Sequence, residues 1–135
     1  MINVKKYAKK IIVGAAALSI ATTSMQAFAA TEWKVFGFYL YPGESAFASD
    51  TSTKIGKRGY AQVKTQSMTG GGSHKIVYSI YSGSSQLSVN KTVTGTGTVD
   101  ISYNNTPGEG TACKLKGSVP STQNAPLRVD GDWIS

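Results

Sequence analysis

The chain of 135 residues contains one cysteine, Cys113, and one histidine, His74. A lone thiol excludes an intramolecular disulfide, so the fold must rest on packing. One Cys and one His cannot supply the clustered ligands of a zinc site. A Ser or Cys nucleophile needs a positioned base, and the single histidine stands just after three consecutive glycines, Gly70-Gly71-Gly72. There is no Gly-x-Ser-x-Gly elbow, and the seven acids are scattered without a recognisable catalytic pair. Asp130-Gly131-Asp132 has the look of a calcium-loop fragment, yet the remaining oxygen ligands at loop spacing are missing. The expectation is a protein that is not an enzyme and takes no cofactor or metal.

A long apolar run is also missing. Crossing hydrocarbon takes about 20 mostly apolar residues, whereas the run from Ile11 to Ala21 is diluted soon afterwards by Thr22, Thr23, Ser24 and Gln26. Lys5, Lys6, Lys9 and Lys10 precede it, and Ala27-Phe28-Ala29 follows as a small-x-small site. Charged, then apolar, then small is the order of a secretory signal peptide, here residues 1–29. Cleavage after Ala29 would release 30–135 as one secreted domain, extracellular or held at the cell surface, with no transmembrane segment.

The signal also distorts the charge balance. The formal net charge is +7, but four of the 14 basic residues and none of the seven acids precede residue 30, which leaves +3 for the remainder. Charge of that size favours weak association with anionic walls or lipids over a nucleic-acid surface. Lys54-Ile55-Gly56-Lys57-Arg58 is the densest charge left. Together with Lys64, the residues Lys54, Lys57 and Arg58 are candidate contacts to an anionic cell-wall polymer or membrane surface. The competing reading is a solvated loop whose charge protects a sheet edge.

Beyond residue 30 apolar residues recur at period two, and no helical repeat persists. Lys34 to Tyr41 is apolar or aromatic on both faces, as in a central strand covered on both sides. Pro42-Gly43-Glu44 ends it with turn chemistry. Ser45 to Gly59 has only Phe47 and Ile55 as large apolar residues and reads as a long connection or a weak edge strand. Tyr60 to Gln66 places Ala61, Val63 and Thr65 on one face. Three short runs follow, carrying Ile76, Tyr78 and Ile80, then Leu87 and Val89, then Val99, Ile101 and Tyr103, and together they suggest a meander. These strands are short for a membrane barrel, which takes about 9 to 11 residues per crossing.

Thr111 to Gly117 alternates again, with Lys114 and Lys116 facing water and Cys113 turned inward as a small hydrophobe. The final strand runs from Leu127 to Trp133. About seven strands separated by turns indicate an all-β fold, a small antiparallel β-sandwich in preference to a small barrel. Trp33, Phe36, Phe38, Tyr39, Tyr78 and Trp133 are the expected large core residues, and the first and last strands are expected to pair or pack together.

Val129-Asp130-Gly131-Asp132-Trp133, preceded by short Gly/Ser/Thr-rich strands and a signal peptide, resembles the ending of a family of small secreted proteins of unknown function from Gram-positive bacteria. Phe36-Gly37-Phe38 is similar to that family's opening aromatic strand. The resemblance implies a secreted β-protein and carries over no catalytic residue. Two functional classes follow: a non-enzymatic surface-binding or bacteriocin-like effector or accessory protein, and a secreted hydrolase or hydrolase inhibitor. Convergence of His74, Cys113 or two carboxylates in one pocket would favour the second, and an exposed aromatic or basic face the first.

Overall fold

A computed structural model describes residues 32–70 and 74–135. The export segment expected over 1–29 lies outside these residues. Nine strands follow in chain order: β1 Lys34–Leu40, β2 Ser45–Thr53, β3 Tyr60–Gly70, β4 Ile76–Ser82, β5 Ser85–Gln86, β6 Lys91–Val93, β7 Gly97–Ser102, β8 Ala112–Ser118 and β9 Leu127–Ile134. All pairings are antiparallel. One sheet has the order β1-β9-β3-β7 and the other β2-β8-β4-β5, with β6 also on β4. Neither sheet closes into a barrel.

The first and last strands pair along their length, from Lys34 opposite Trp133 to Leu40 opposite Leu127. Trp133 is fully buried, but Trp33 is not a core residue and stands 38% exposed. Nor is β1 central. It is the edge strand of its sheet, burying Phe36, Phe38 and Leu40 while Val35, Tyr39 and Tyr41 face outward. The outward residues are apolar or aromatic enough to imitate a strand buried on both faces. Tyr39, also expected in the core, is 61% exposed.

Pro42-Gly43-Glu44 carries the chain from the edge of the first sheet to the edge of the second. Gly43 has a φ of +83°, a conformation that L side chains rarely adopt. Glu44 clamps the turn, because its N–H donates to the Tyr41 carbonyl and its carboxylate accepts from the Tyr41 N–H. The next segment, β2, is an edge strand with a bulge between Phe47 and Thr51, which removes the flat edge another chain could pair with.

The expected meander forms only in part: β5 and β6 pair with β4, but the run carrying Val99 and Ile101 joins the other sheet. β4 and β7 belong to different sheets, and the chain between them stays against β4 through the Leu87 N–H bond to Ile80 and the pairing of β6 before it crosses. Ser88 bridges Tyr103, with backbone bonds from Val89 to Ser102 and from Asn104 to Leu87. Alternation alone does not distinguish a hairpin within one sheet from a crossing between two.

The inner faces share one apolar cluster, which includes Phe36, Phe38, Val63, Tyr78, Ile80, Leu115 and Trp133. Two strand glycines make room for its phenylalanines. Gly131 is the register partner of Phe36, and a Cβ there would meet that ring at 2.9 Å; one on Gly117 would meet Phe38 at 2.8 Å. Phe36 in turn meets Tyr78 edge-on, with centroids 5.7 Å apart. The Tyr78 and Thr65 hydroxyls hydrogen-bond at 2.9 Å, joining β4 of one sheet to β3 of the other. This satisfies a phenol that burial raises to a pKa of about 12.

Candidate functional site

The four cationic side chains singled out in the sequence do not form one patch. Lys57 and Arg58 are exposed in the turn between β2 and β3, with the Arg58 guanidinium 5.4 Å from the Tyr60 ring centroid. Lys64 is exposed on the outer face of the first sheet, in register with Asp132 on one side and Thr98 on the other. Lys54 is no surface contact, being 1% exposed. Its backbone is fixed by bonds from its N–H to the Thr111 carbonyl and from the Gly110 N–H to its own carbonyl. That anchoring turns the side chain inward, where the ammonium lies 5.4 Å from the Tyr103 ring centroid. Burial, then the nearby Arg58 charge, lowers the Lys54 pKa.

Cys113 is fully buried as expected, and burial pushes its thiol pKa up, the reverse of what an activated nucleophile requires. His74 bonds the Gly70 carbonyl through Nε2 at 2.7 Å. Cys113 lies near the start of β8, at the end of the β4–β8 ladder opposite to the one His74 precedes, so the two are not brought together. Asp130 and Asp132 alternate on the outer face of β9, occupied respectively by Ser67 and Arg128 and by Gln66. Among the described residues, no three His, Cys, Asp or Glu side chains converge as a metal site would require.

What the tertiary structure assembles is a basic aromatic patch on the outer face of the second sheet. In register across the ladder, Phe47 of β2 faces Lys116 of β8, and Lys114 faces Tyr81 of β4. The Phe47 and Tyr81 rings approach across β8 to a centroid distance of 5.4 Å. The Lys116 ammonium lies 5.1 Å from the Tyr81 centroid and 5.9 Å from that of Phe47, and the Lys114 ammonium 5.9 Å from Phe47. Each such contact contributes about 0.5 to 1 kcal/mol at an exposed site, enough to keep the lysines over the rings while leaving their charge in water. Phe47 remains 46% exposed.

Neither β4 nor β8 contains an acid, whereas the outer face of the first sheet carries Asp100, Asp130 and Asp132. The first face mixes these acids with the exposed Lys64 and Arg128, whereas the charged side chains of β4 and β8 are lysines only; β2, which supplies Phe47, carries Asp50. The water-facing lysines of β8 were legible from alternation. Their neighbours Phe47 and Tyr81 were not, because the register of three strands distant in sequence places them together.

Beside this patch runs an open groove of about 560 Å³. It is bounded by the turn at Gly43–Ser45, the turn at Val119–Ser121 and the β4 surface, and Tyr81, Gln86, Asn90 and Lys116 line it. The Tyr81 hydroxyl donates to Gln86 Oε1 at 3.0 Å, and Gln86 Nε2 donates to Asn90 Oδ1 at 2.8 Å. This relay orients Asn90 so that its Nδ2 is left as a donor.

Among the described residues no helix is long and apolar enough to cross a membrane. Comparison with family models, curated proteins and solved structures produced no match to this chain.

Proposed function

We propose that the protein is a secreted, non-enzymatic β-sandwich that docks on an anionic polymer of the cell surface. The observation that carries this reading is the exposed cluster of Phe47, Tyr81, Lys114 and Lys116, in which two ammonium groups lie against two rings and the strands of the lysines and of Tyr81, β8 and β4, carry no acid. Ring contact restricts the lysines before a partner arrives and reduces the entropy lost on docking. The resemblance of the Val129–Trp133 ending to small secreted Gram-positive proteins agrees with export, and so does the charged-apolar-small order of residues 1–29. In this reading the loop cations Lys57 and Arg58 assist approach by long-range attraction, and the protein serves as an accessory or bacteriocin-like effector at the wall.

Co-sedimentation with isolated Gram-positive cell walls tests the proposal. The protein should pellet at low salt and be released as salt rises. The double variant K114E/K116E should lose at least about tenfold in affinity, and K57E/R58E should lose less. No sedimentation at low salt, or equal losses in the two variants, would overturn the assignment of this face. Preference for anionic lipid vesicles over walls would replace the polymer with a membrane. Growth inhibition and dye release from related bacteria separate an effector from a passive wall protein.

A further inference from the structure

The groove beside the patch bears on which anionic polymer is held. A polymer recognised by charge alone needs cations and little else. Here one cation, Lys116, borders a cavity whose other polar and ring contributions are an aromatic side chain, carboxamides and hydroxyls. Its volume, about 560 Å³, falls in the range of small-ligand sites. An aromatic ring offers an apolar surface to the C–H face of a pyranose. Amide groups match the hydroxyls around such a ring, each able to donate or accept.

Three details give the groove a direction. The Tyr81 hydroxyl is committed as a donor to Gln86, and Gln86 Nε2 to Ser88 and Asn90, so the ring and the relay are fixed before a ligand arrives. Among the described residues Asn90 Nδ2 has no hydrogen-bond partner, and it supplies a donor on the far side of Gln86 from Tyr81. Lys116 places a positive charge 5.1 Å from the Tyr81 centroid. The single acid lining the groove, Glu44, is engaged with the Tyr41 N–H in the turn at its rim.

We infer that the groove is a subsite for an acidic polysaccharide: a pyranose packs against Tyr81, Asn90 donates to a ring substituent, and Lys116 meets a carboxylate carried by the sugar itself. The inference rests on the proposed anionic-polymer function and adds the chemistry of the repeating unit. The proximity of cation and ring selects this ligand. A carboxylate attached directly to a packed sugar reaches Lys116 while the sugar stays on Tyr81, whereas a polyol phosphate has a charge to offer but no ring to pack.

The test measures calorimetric binding of the purified protein to polygalacturonate, to inorganic polyphosphate as a polyanion without sugar, and to a neutral glucan. Polygalacturonate should bind the most tightly. Y81A should weaken it about tenfold or more while leaving polyphosphate binding nearly unchanged, and K114E/K116E should weaken both polyanions. Y81F keeps the ring and should keep most of the affinity, which separates loss of the packing surface from loss of fold. Polyphosphate binding as tight as polygalacturonate, with Y81A indifferent, would overturn the sugar subsite and leave the anionic-polymer reading standing. Equal losses in Y81F and Y81A would also overturn it. Binding of neither polyanion would overturn both, and neutral glucan binding unaffected by K114E/K116E would overturn the role of charge while retaining the ring contact.

Discussion

Lys54 shows how a residue's role depends on where its backbone is tied down. It belongs to the most charged pentapeptide beyond residue 29, yet its ammonium is buried over Tyr103, with a long 3.4 Å contact to the Ile55 carbonyl. A charge held this way costs desolvation energy that one weak acceptor does not fully return. Because the folded-state pKa is lowered, the charged amine opposes folding below that pKa, and the penalty lifts as pH rises towards the ordinary 10.5. Lys54→Met should therefore stabilise the protein at neutral pH by on the order of 1 kcal/mol. The gain should shrink as pH approaches 10.5. Urea unfolding of both proteins at neutral and alkaline pH measures this, and a gain independent of pH would refute the cause. Nothing in sequence marked Lys54 apart from Lys57 and Arg58, because the hydrogen bonds that turn it inward come from Gly110 and Thr111, far along the chain.

At the scale of elements, β9 holds the first sheet together. It pairs with β1 on one side and β3 on the other, and it contributes Leu127, Val129 and Trp133 to the core. Deleting residues 130–135 removes Trp133 and leaves β1 only three register partners, those of Phe38, Tyr39 and Leu40. Loss of a buried tryptophan alone costs about 3 to 5 kcal/mol, a large part of the stability of a small domain. The truncated chain should show no cooperative thermal transition by circular dichroism, and a retained sigmoidal melt would show that β9 is dispensable. The pairing of β1 with β9 was legible from the aromatic residues at the two ends. The edge position of β1 was not, because Val35, Tyr39 and Tyr41 are apolar or aromatic while lying on the solvent face. The run around Val99 departs from the expected meander for a related reason: period two reports an inward and an outward face, not which sheet the strand joins.

For the whole molecule, the two sheets close over one core without a crosslink, and Cys113 sits within it at the register position opposite Ser52. β8, its strand, is flanked by β2 and β4, so opening a path to the thiol means separating strands that hold the second sheet together. A thiol reagent should therefore leave the native protein essentially unlabelled and react on unfolding, and labelling should follow the global stability as urea is raised. Rapid labelling in native buffer would show that β8 opens locally. The same burial keeps Cys113 from linking two chains in the folded state. Charge, too, has meaning only at this scale. A balance of +3 beyond residue 29 says little, whereas its distribution, with acids and cations mixed on the outer face of one sheet and lysines beside aromatic rings on the other, gives the proposed docking face.

The amino-acid sequence by itself determined the strand periodicity, the positions of most turns, the inward Cys113 and the outward Lys114 and Lys116, since each follows from alternation and local backbone preference within a few residues. The charged-apolar-small order of residues 1–29 is likewise a property of sequence. Tertiary structure decided which strands share a sheet, which cation is buried and which rings stand beside the lysines. Those outcomes depend on pairing between segments far apart in the chain, where the energy comes from burying both inner faces at once and no single segment contains the information.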